Sequence, residues 1–358
     1  MSARRQKNTT SHDQDFARQL IAWQADHGRH DLPWQGTRDP YRVWLSEIML
    51  QQTQVDTVIP YYQRFLQRFP DVAALAAAPT DDVLALWSGL GYYARARNLQ
   101  RAAQQVVSDH GGRFPRDAAG LVELPGIGRS TAAAIASVCY GEAVAILDGN
   151  VKRVLTRHFG IDGFPGERAV EQGLWALAES LVPADDAARY PQAIMDLGAT
   201  LCTRSKPRCD DCPVKQSCVA RCDGRQADLP TRKARKPVPQ RQARVLVLRH
   251  RGKVLLEQRP PSGIWGGLYS LPELAPDETL AAALLRITGQ PLPADSHELP
   301  EVLHVFTHFK LSLQPELVEL DQAPRGVNEA GLRWFALASL EEVGLPAPIR
   351  RILNDCAA

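Results

Sequence analysis

The chain has 358 residues, 44% apolar and 23% charged, the balance of a globular protein of two or three domains. No apolar run approaches the roughly 18 residues of a membrane span, and no signal peptide opens the chain, so membrane and secreted classes are set aside and a cytoplasmic location is expected. Net charge is +2, but unevenly spread: residues 1–224 balance, residues 225–244 carry seven basic residues against one acidic, and residues 245–358 carry ten against fourteen.

Residues 1–12 are polar and read as a disordered tail. Phe16, Leu20 and Trp23 then recur at helical spacing. After the loop Asp31-Leu32-Pro33-Trp34 comes a helix carrying Val43, Trp44, Ile48 and Leu50. Further helices are predicted at 55–69, 73–78, 81–87, 94–109, 118–121, 130–140, 151–159 and 167–181, so residues 13–224 form an all-α domain. A basic linker with Pro230, Pro237 and Pro239 covers 225–241 and is expected to be extended. Beyond it the period changes to two. Val245–Leu248 and Val254–Leu256 read as a hairpin, with a helix over 277–288 and strands near 302–309 and 311–317, giving a small α/β domain over 242–358.

The stretch from Leu124 to Val154 holds the most chemistry. Leu124-Pro125-Gly126-Ile127-Gly128-Arg129-Ser130-Thr131 has the form of a helix-hairpin-helix turn within residues 118–136, with Gly126 and Gly128 where backbone angles closed to other residues are needed. Unpaired N–H groups at such a helix start suit a phosphate, although a plain Pro-Gly turn has the same letters. Asp148-Gly149-Asn150 follows, with Asp148 placed either as a helix N-cap or as a working carboxylate. Glu47 lies among Val43, Trp44 and Leu50. On that apolar face it is desolvated and protonated, unless it turns to the helix edge. Cys202, Cys209, Cys212 and Cys218, spaced Cys-x6-Cys-x2-Cys-x5-Cys, suit a 4Fe–4S cluster or a structural zinc better than disulfides.

Together these features resemble the helix-hairpin-helix DNA glycosylases with an iron–sulfur cluster. Trp44–Val55, Gly89–Leu99 and Ile146–Val154 resemble, within them, the adenine DNA glycosylase (MutY) family. The resemblance runs from about residue 13 through the second domain. It implies a 4Fe–4S cluster on the four cysteines of the 202–218 loop. The implied substrate is adenine opposite 8-oxoguanine or guanine in duplex DNA, reached by base flipping. Glu47 would protonate the departing adenine and Asp148 would stabilise the sugar cation. Arg29, Leu32, Trp34, Leu50, Val55, Asn150 and Gln192 would form the adenine pocket. Gln51, Gln52 and Tyr92 would meet the DNA, the last two as wedges beside the lesion, together with the hairpin residues Gly126, Gly128, Arg129 and Ser130. The related endonuclease III proteins carry a Lys where this chain has Ser130. That Lys forms a Schiff base and cuts the strand, so a monofunctional enzyme leaving an abasic site is expected. The resemblance further implies a monomer in the bacterial cytoplasm, associated with the nucleoid and with other repair proteins.

The second domain resembles a Nudix fold without its enzyme. Where paired Glu residues would hold magnesium, this chain has Ala281-Ala282-Ala283-Leu284-Leu285-Arg286. The family reads 8-oxoguanine through a Phe-Ser-His loop, and Phe306-Thr307-His308 stands in its place, keeping the hydroxyl and adding a methyl. Two other classes compete: a mismatch-binding module without catalysis, opposed by the presence of both acids, and a Nudix pyrophosphatase, opposed by the missing acidic helix.

Overall fold

The computed structural model describes residues 3–233, 237–293, 296–322 and 331–357, with side chains from residue 15 onward. Among them no helix is long and apolar enough to cross a membrane. The chain forms two compact units, Met1–Ala76 with Arg101–Arg235, and Ala77–Gln100 with Lys236–Ala358.

In chain order the helices are α1 (Ala3–His27), α2 (Pro40–Leu50), α3 (Val55–Arg68), α4 (Val72–Ala77), α5 (Thr80–Trp87), α6 (Ala94–His110), α7 (Ala118–Val122), α8 (Arg129–Tyr140), α9 (Gly149–Phe159), α10 (Arg168–Ser180), α11 (Tyr190–Thr200) and α12 (Val219–Cys222). The tail expected to be disordered is helical from Ala3. Residues 3–7 are good helix formers and neither Gly nor Pro interrupts the chain before Gly28. The helix α11, which no predicted element covered, starts with Pro191 in its first turn, where the missing N–H costs nothing. Its Ala193, Ile194 and Leu197 join α1 and α9 in one core with Phe16, Leu20, Val151, Val154 and Leu155.

The first unit is wholly helical, but residues 77–100 do not belong to it, so the all-α block over 13–224 is interrupted. Asp81 of α5 accepts from Gln258 at 3.1 Å. Ser88 donates to the Leu345 carbonyl at 2.8 Å and Arg97 to the Gly266 carbonyl. The expected linker also starts late. Leu229 is buried and its carbonyl accepts from Arg157 at 2.8 Å, which docks residues 225–229 on α9. Its far end is already strand from Gln240, while Arg235 and Lys236 lie outside the described residues.

The rest of the second unit is a seven-stranded sheet ordered β3-β2-β1-β6-β4. The strands are β1 (Gln240–His250), β2 (Lys253–Gln258), β3 (Tyr269–Ser270), β4 (Ser296–Glu298), β5 (Val302–Val305), β6 (Lys310–Glu319) and β7 (Leu332–Ala336). Neighbours β1 and β2 pair antiparallel as the expected hairpin, β1 and β6 pair parallel, and β5 and β7 add to β6 and β2. Leu246, Leu248, Leu255 and Val318 pack on Ala283 and Leu284 of α13 (Leu280–Thr288). The chain closes with α14 (Ala347–Ala357).

Candidate active site

Asp148 caps α9. One carboxylate oxygen accepts from the Val151 N–H at 2.7 Å and the other from Asn150 Nδ2 at 3.3 Å. Asp148 is thus the N-cap, and the helix N-terminus supports its anion. Burial pushes the Asp148 pKa up, opposed by these hydrogen bonds and by the Arg153 charge. Glu47 lies on α2. Desolvation first, and then the Asp148 charge, push its pKa up to about 7. Burial pushes both carboxyl groups up, and they differ in that donors from Val151 and Asn150 and the Arg153 charge support the Asp148 anion.

Behind Asp148 stands a chain of hydrogen bonds. Asn150 Oδ1 accepts from Arg153 at 2.8 Å, and Arg153 also donates to the carbonyls of Gly198, at 2.8 Å, and Cys202, at 2.7 Å. Gly198 is forced here, since a Cβ would lie 2.7 Å from that of Asn150. Ser130, at the start of α8, accepts from the Leu147 N–H at 3.0 Å, so its hydroxyl steadies the residue before Asp148.

Asp196 was not foreseen. Its side chain is fully buried, yet it accepts from Arg29 Nε at 2.8 Å, from the Arg29 N–H at 3.2 Å and from Gln192 at 2.9 Å. It thereby brings together two expected pocket residues that are far apart in sequence. A single carboxylate inside the apolar run Ala193-Ile194-Met195-Asp196-Leu197 was the signal available. Leu32, Leu50 and Val55 are each only half-buried, unlike the core residues Val43 and Leu45, as suits a surface that receives a ligand. Trp34 is buried and meets Tyr62 edge-on with centroids 5.4 Å apart.

The DNA-facing residues divide. Gln52 and Tyr92 both adopt left-handed backbone angles, φ 58° and 49°, and Tyr92 is 46% exposed. Tyr92 falls in the second unit, with the Arg95 guanidinium over its ring. Gln51 reaches Thr131 Oγ1 at 3.5 Å. In the hairpin, Gly126 has φ 80°, but Gly128 is extended at φ −86°, correcting the expectation that both need glycine's freedom. A Cβ on Gly128 would meet only open space. The exposed Arg129 guanidinium is ion-paired with Glu179 and lies 3.9 Å above the Trp175 ring.

Cys202, Cys209, Cys212 and Cys218 line one cavity with Arg157, Arg208, Lys215 and Arg221, while Cys222 is exposed beside it. Among the described residues no three His, Cys, Asp or Glu side chains are arranged for a single metal ion. Four thiols spread around a cavity, with cations to balance thiolates, fit a polynuclear group. In the second unit α13 presents no metal-binding acids. Glu278, before its N-cap, is ion-paired with Arg286, which holds its carboxyl well below the usual range.

A helical domain with a hairpin next to an acid pair, followed by a sheet domain, defines the helix-hairpin-helix class of DNA glycosylases. Residues 45–180 match the HhH-GPD superfamily of base excision DNA repair proteins, and residues 244–355 match the NUDIX domain. An adenine DNA glycosylase of Buchnera aphidicola (subsp. Acyrthosiphon pisum) is 36% identical, across 95% of this chain and 97% of its own. Those of mouse and human are 38% and 36% identical across 95% of this chain, and 77% and 73% of theirs. This chain belongs to the adenine DNA glycosylase family. A thermostable thymine-DNA glycosylase superposes with a TM-score of 0.54 at 29% identity, over 61% of this chain and 99% of its own. An endonuclease III–DNA complex, 20% identical with a TM-score of 0.52 over 60% of this chain and 97% of its own, shares the fold.

Proposed function

We propose that the chain is a monofunctional glycosylase that hydrolyses the N-glycosidic bond of adenine mispaired with 8-oxoguanine or guanine in duplex DNA. The unlike environments of Glu47 and Asp148 carry this reading. The bond is out of reach in the stack, so adenine is flipped into the site. Glu47, protonated near neutral pH, donates to adenine N7 as the bond breaks. Asp148, held by the N-terminus of α9, stabilises the oxocarbenium-like sugar by its charge or through a covalent intermediate. Glu47, now ionised, helps to activate water. Arg29 and Gln192, fixed by Asp196, orient the base.

Ser130 offers no amine for a Schiff base, so the product is an intact strand with an abasic site. Cys202, Cys209, Cys212 and Cys218 would hold a 4Fe–4S cluster. When bound, it supplies a covalent crosslink of residues 202–218. The same reading places a monomer at the bacterial nucleoid, in the cytoplasm and alongside other repair proteins.

The test is adenine release from duplexes differing only in the base opposite adenine. Release is expected opposite 8-oxoguanine and guanine, and Glu47→Gln is expected to bind the duplex and release no base. A Glu47→Gln protein that releases adenine at the parent rate would overturn the assignment. For the cysteines, brown protein containing iron is the expected outcome, and colourless, active, zinc-containing protein would defeat it.

A further inference from the structure

The hairpin between β5 and β6 ends in Phe306-Thr307-His308-Phe309, closed by a hydrogen bond from the Phe306 N–H to the Phe309 carbonyl at 2.9 Å. Thr307 and His308 are exposed at its tip, 3.3 Å apart from Oγ1 to Nδ1. The His308 ring lies 4.9 Å from that of Phe309 and 6.4 Å from that of Phe306. Phe306 and Phe309 stack at 4.4 Å and 18°, and the Arg241 guanidinium of β1 covers the Phe309 ring at 4.8 Å.

The Phe306 end of that stack rests on two residues outside the turn. His304 meets it edge-on with centroids 4.6 Å apart. The buried Trp265 lies 5.6 Å from Phe306 and 5.8 Å from His304.

Trp265 is held there at a cost in backbone conformation. Its φ is 55°, a region that bulky side chains avoid, between Gly263 at 89° and Gly267 at 81°. At Gly266 a Cβ would lie 2.6 Å from the Pro261 carbonyl oxygen, so the loop folds back on itself around the indole. Burial lowers the His304 pKa, which favours a neutral ring in the aromatic cluster. A strained loop that drives an indole beneath an exposed turn is a support for that turn.

We infer that Trp265 and His304 are positioning residues that hold the Phe306–Phe309 turn in the pose in which Thr307 and His308 read the base opposite adenine. The inference rests on the proposed 8-oxoguanine reading and adds residues to it. A turn whose rings lose their backing samples several poses, and discrimination between 8-oxoguanine and guanine suffers before catalysis does.

The experiment compares single-turnover adenine release opposite 8-oxoguanine and opposite guanine, in the full-length protein and in Trp265→Leu, His304→Leu and Trp265→Phe. The ratio of the two rates is the readout, because a general loss of folded protein lowers both rates together and leaves the ratio alone. Trp265→Leu and His304→Leu should each reduce the ratio about tenfold, equivalent to losing about 1.4 kcal/mol of selective binding, and Trp265→Phe should keep most of it. An unchanged ratio in both leucine variants, in a parent that prefers 8-oxoguanine, would overturn the inference and leave the proposed function standing. A parent with no preference would remove the reading of 8-oxoguanine by this turn, and the inference with it, while adenine release opposite either base would still support the proposed glycosylase.

Discussion

In the proposed mechanism Glu47 carries a proton at a pH where an ordinary glutamate has lost it, and two features raise its pKa: burial on α2 and the charge of Asp148. The ionised form is therefore the costly one in the folded state. Adenine release should fall as pH rises through about 7, seen as the basic limb of a single-turnover profile. Glu47→Gln should lose roughly 10²–10⁴-fold in release at the plateau. The same shift sets a stability penalty that is absent near pH 4, grows as pH rises above the ordinary value of 4.5, and is complete above about 7. Glu47→Gln should thus raise Tm at pH 8 by an amount equivalent to about 3 kcal/mol and leave it unchanged near pH 4, as thermal melts at the two pH values would show. At Ser130 the expectation concerns the product. Strand breaks should appear only after heat or alkali, and breaks in untreated gels would contradict a hydroxyl that merely accepts from Leu147.

The helices α9 and α11 approach so closely that Gly198 has no room for a Cβ beside Asn150. Gly198→Ala should push Asn150 from its bonds to Asp148 and Arg153. Adenine release should slow at least about tenfold, with a loss of roughly 1–3 kcal/mol from overpacking. Activity measured well below the variant's own Tm separates the two effects. The motif-bearing helices α2, α8 and α9 were legible because their apolar periodicity and turn residues are local signals. Helix α11 was not, nor were α12 and α14, and with α11 went Asp196. Buried on most sides, α11 shows no clear amphipathic stripe, and the charge of its Asp is answered by Arg29, from the far end of the sequence of the domain. Short strands such as β3, β4 and β7 were missed for a related reason: they exist through their partners in the sheet, not through their own pattern. In Arg129 the sequence showed a cation at a phosphate-binding turn, but its tie to Trp175 depends on the fold.

At the scale of the molecule, affinity for DNA should fall steeply with salt, as phosphate contacts release counterions. Neutralising Arg232 and Lys233 together should flatten the plot of log affinity against log salt by about 2 if both meet phosphates. An unchanged slope would make the stretch a plain spacer. Residues 77–100 leave the helical unit and return to it, and while away they bond to the C-terminal sheet unit through Asp81, Ser88 and Arg97. Tyr92 travels with them. Cutting the gene at the proline-rich stretch would therefore not yield two self-sufficient products: the shorter N-terminal piece would keep its acids but lose the scaffold beneath its wedge. A chimaera that borrows the C-terminal half of a relative has to import the matching twenty-odd residues from the N-terminal half as well.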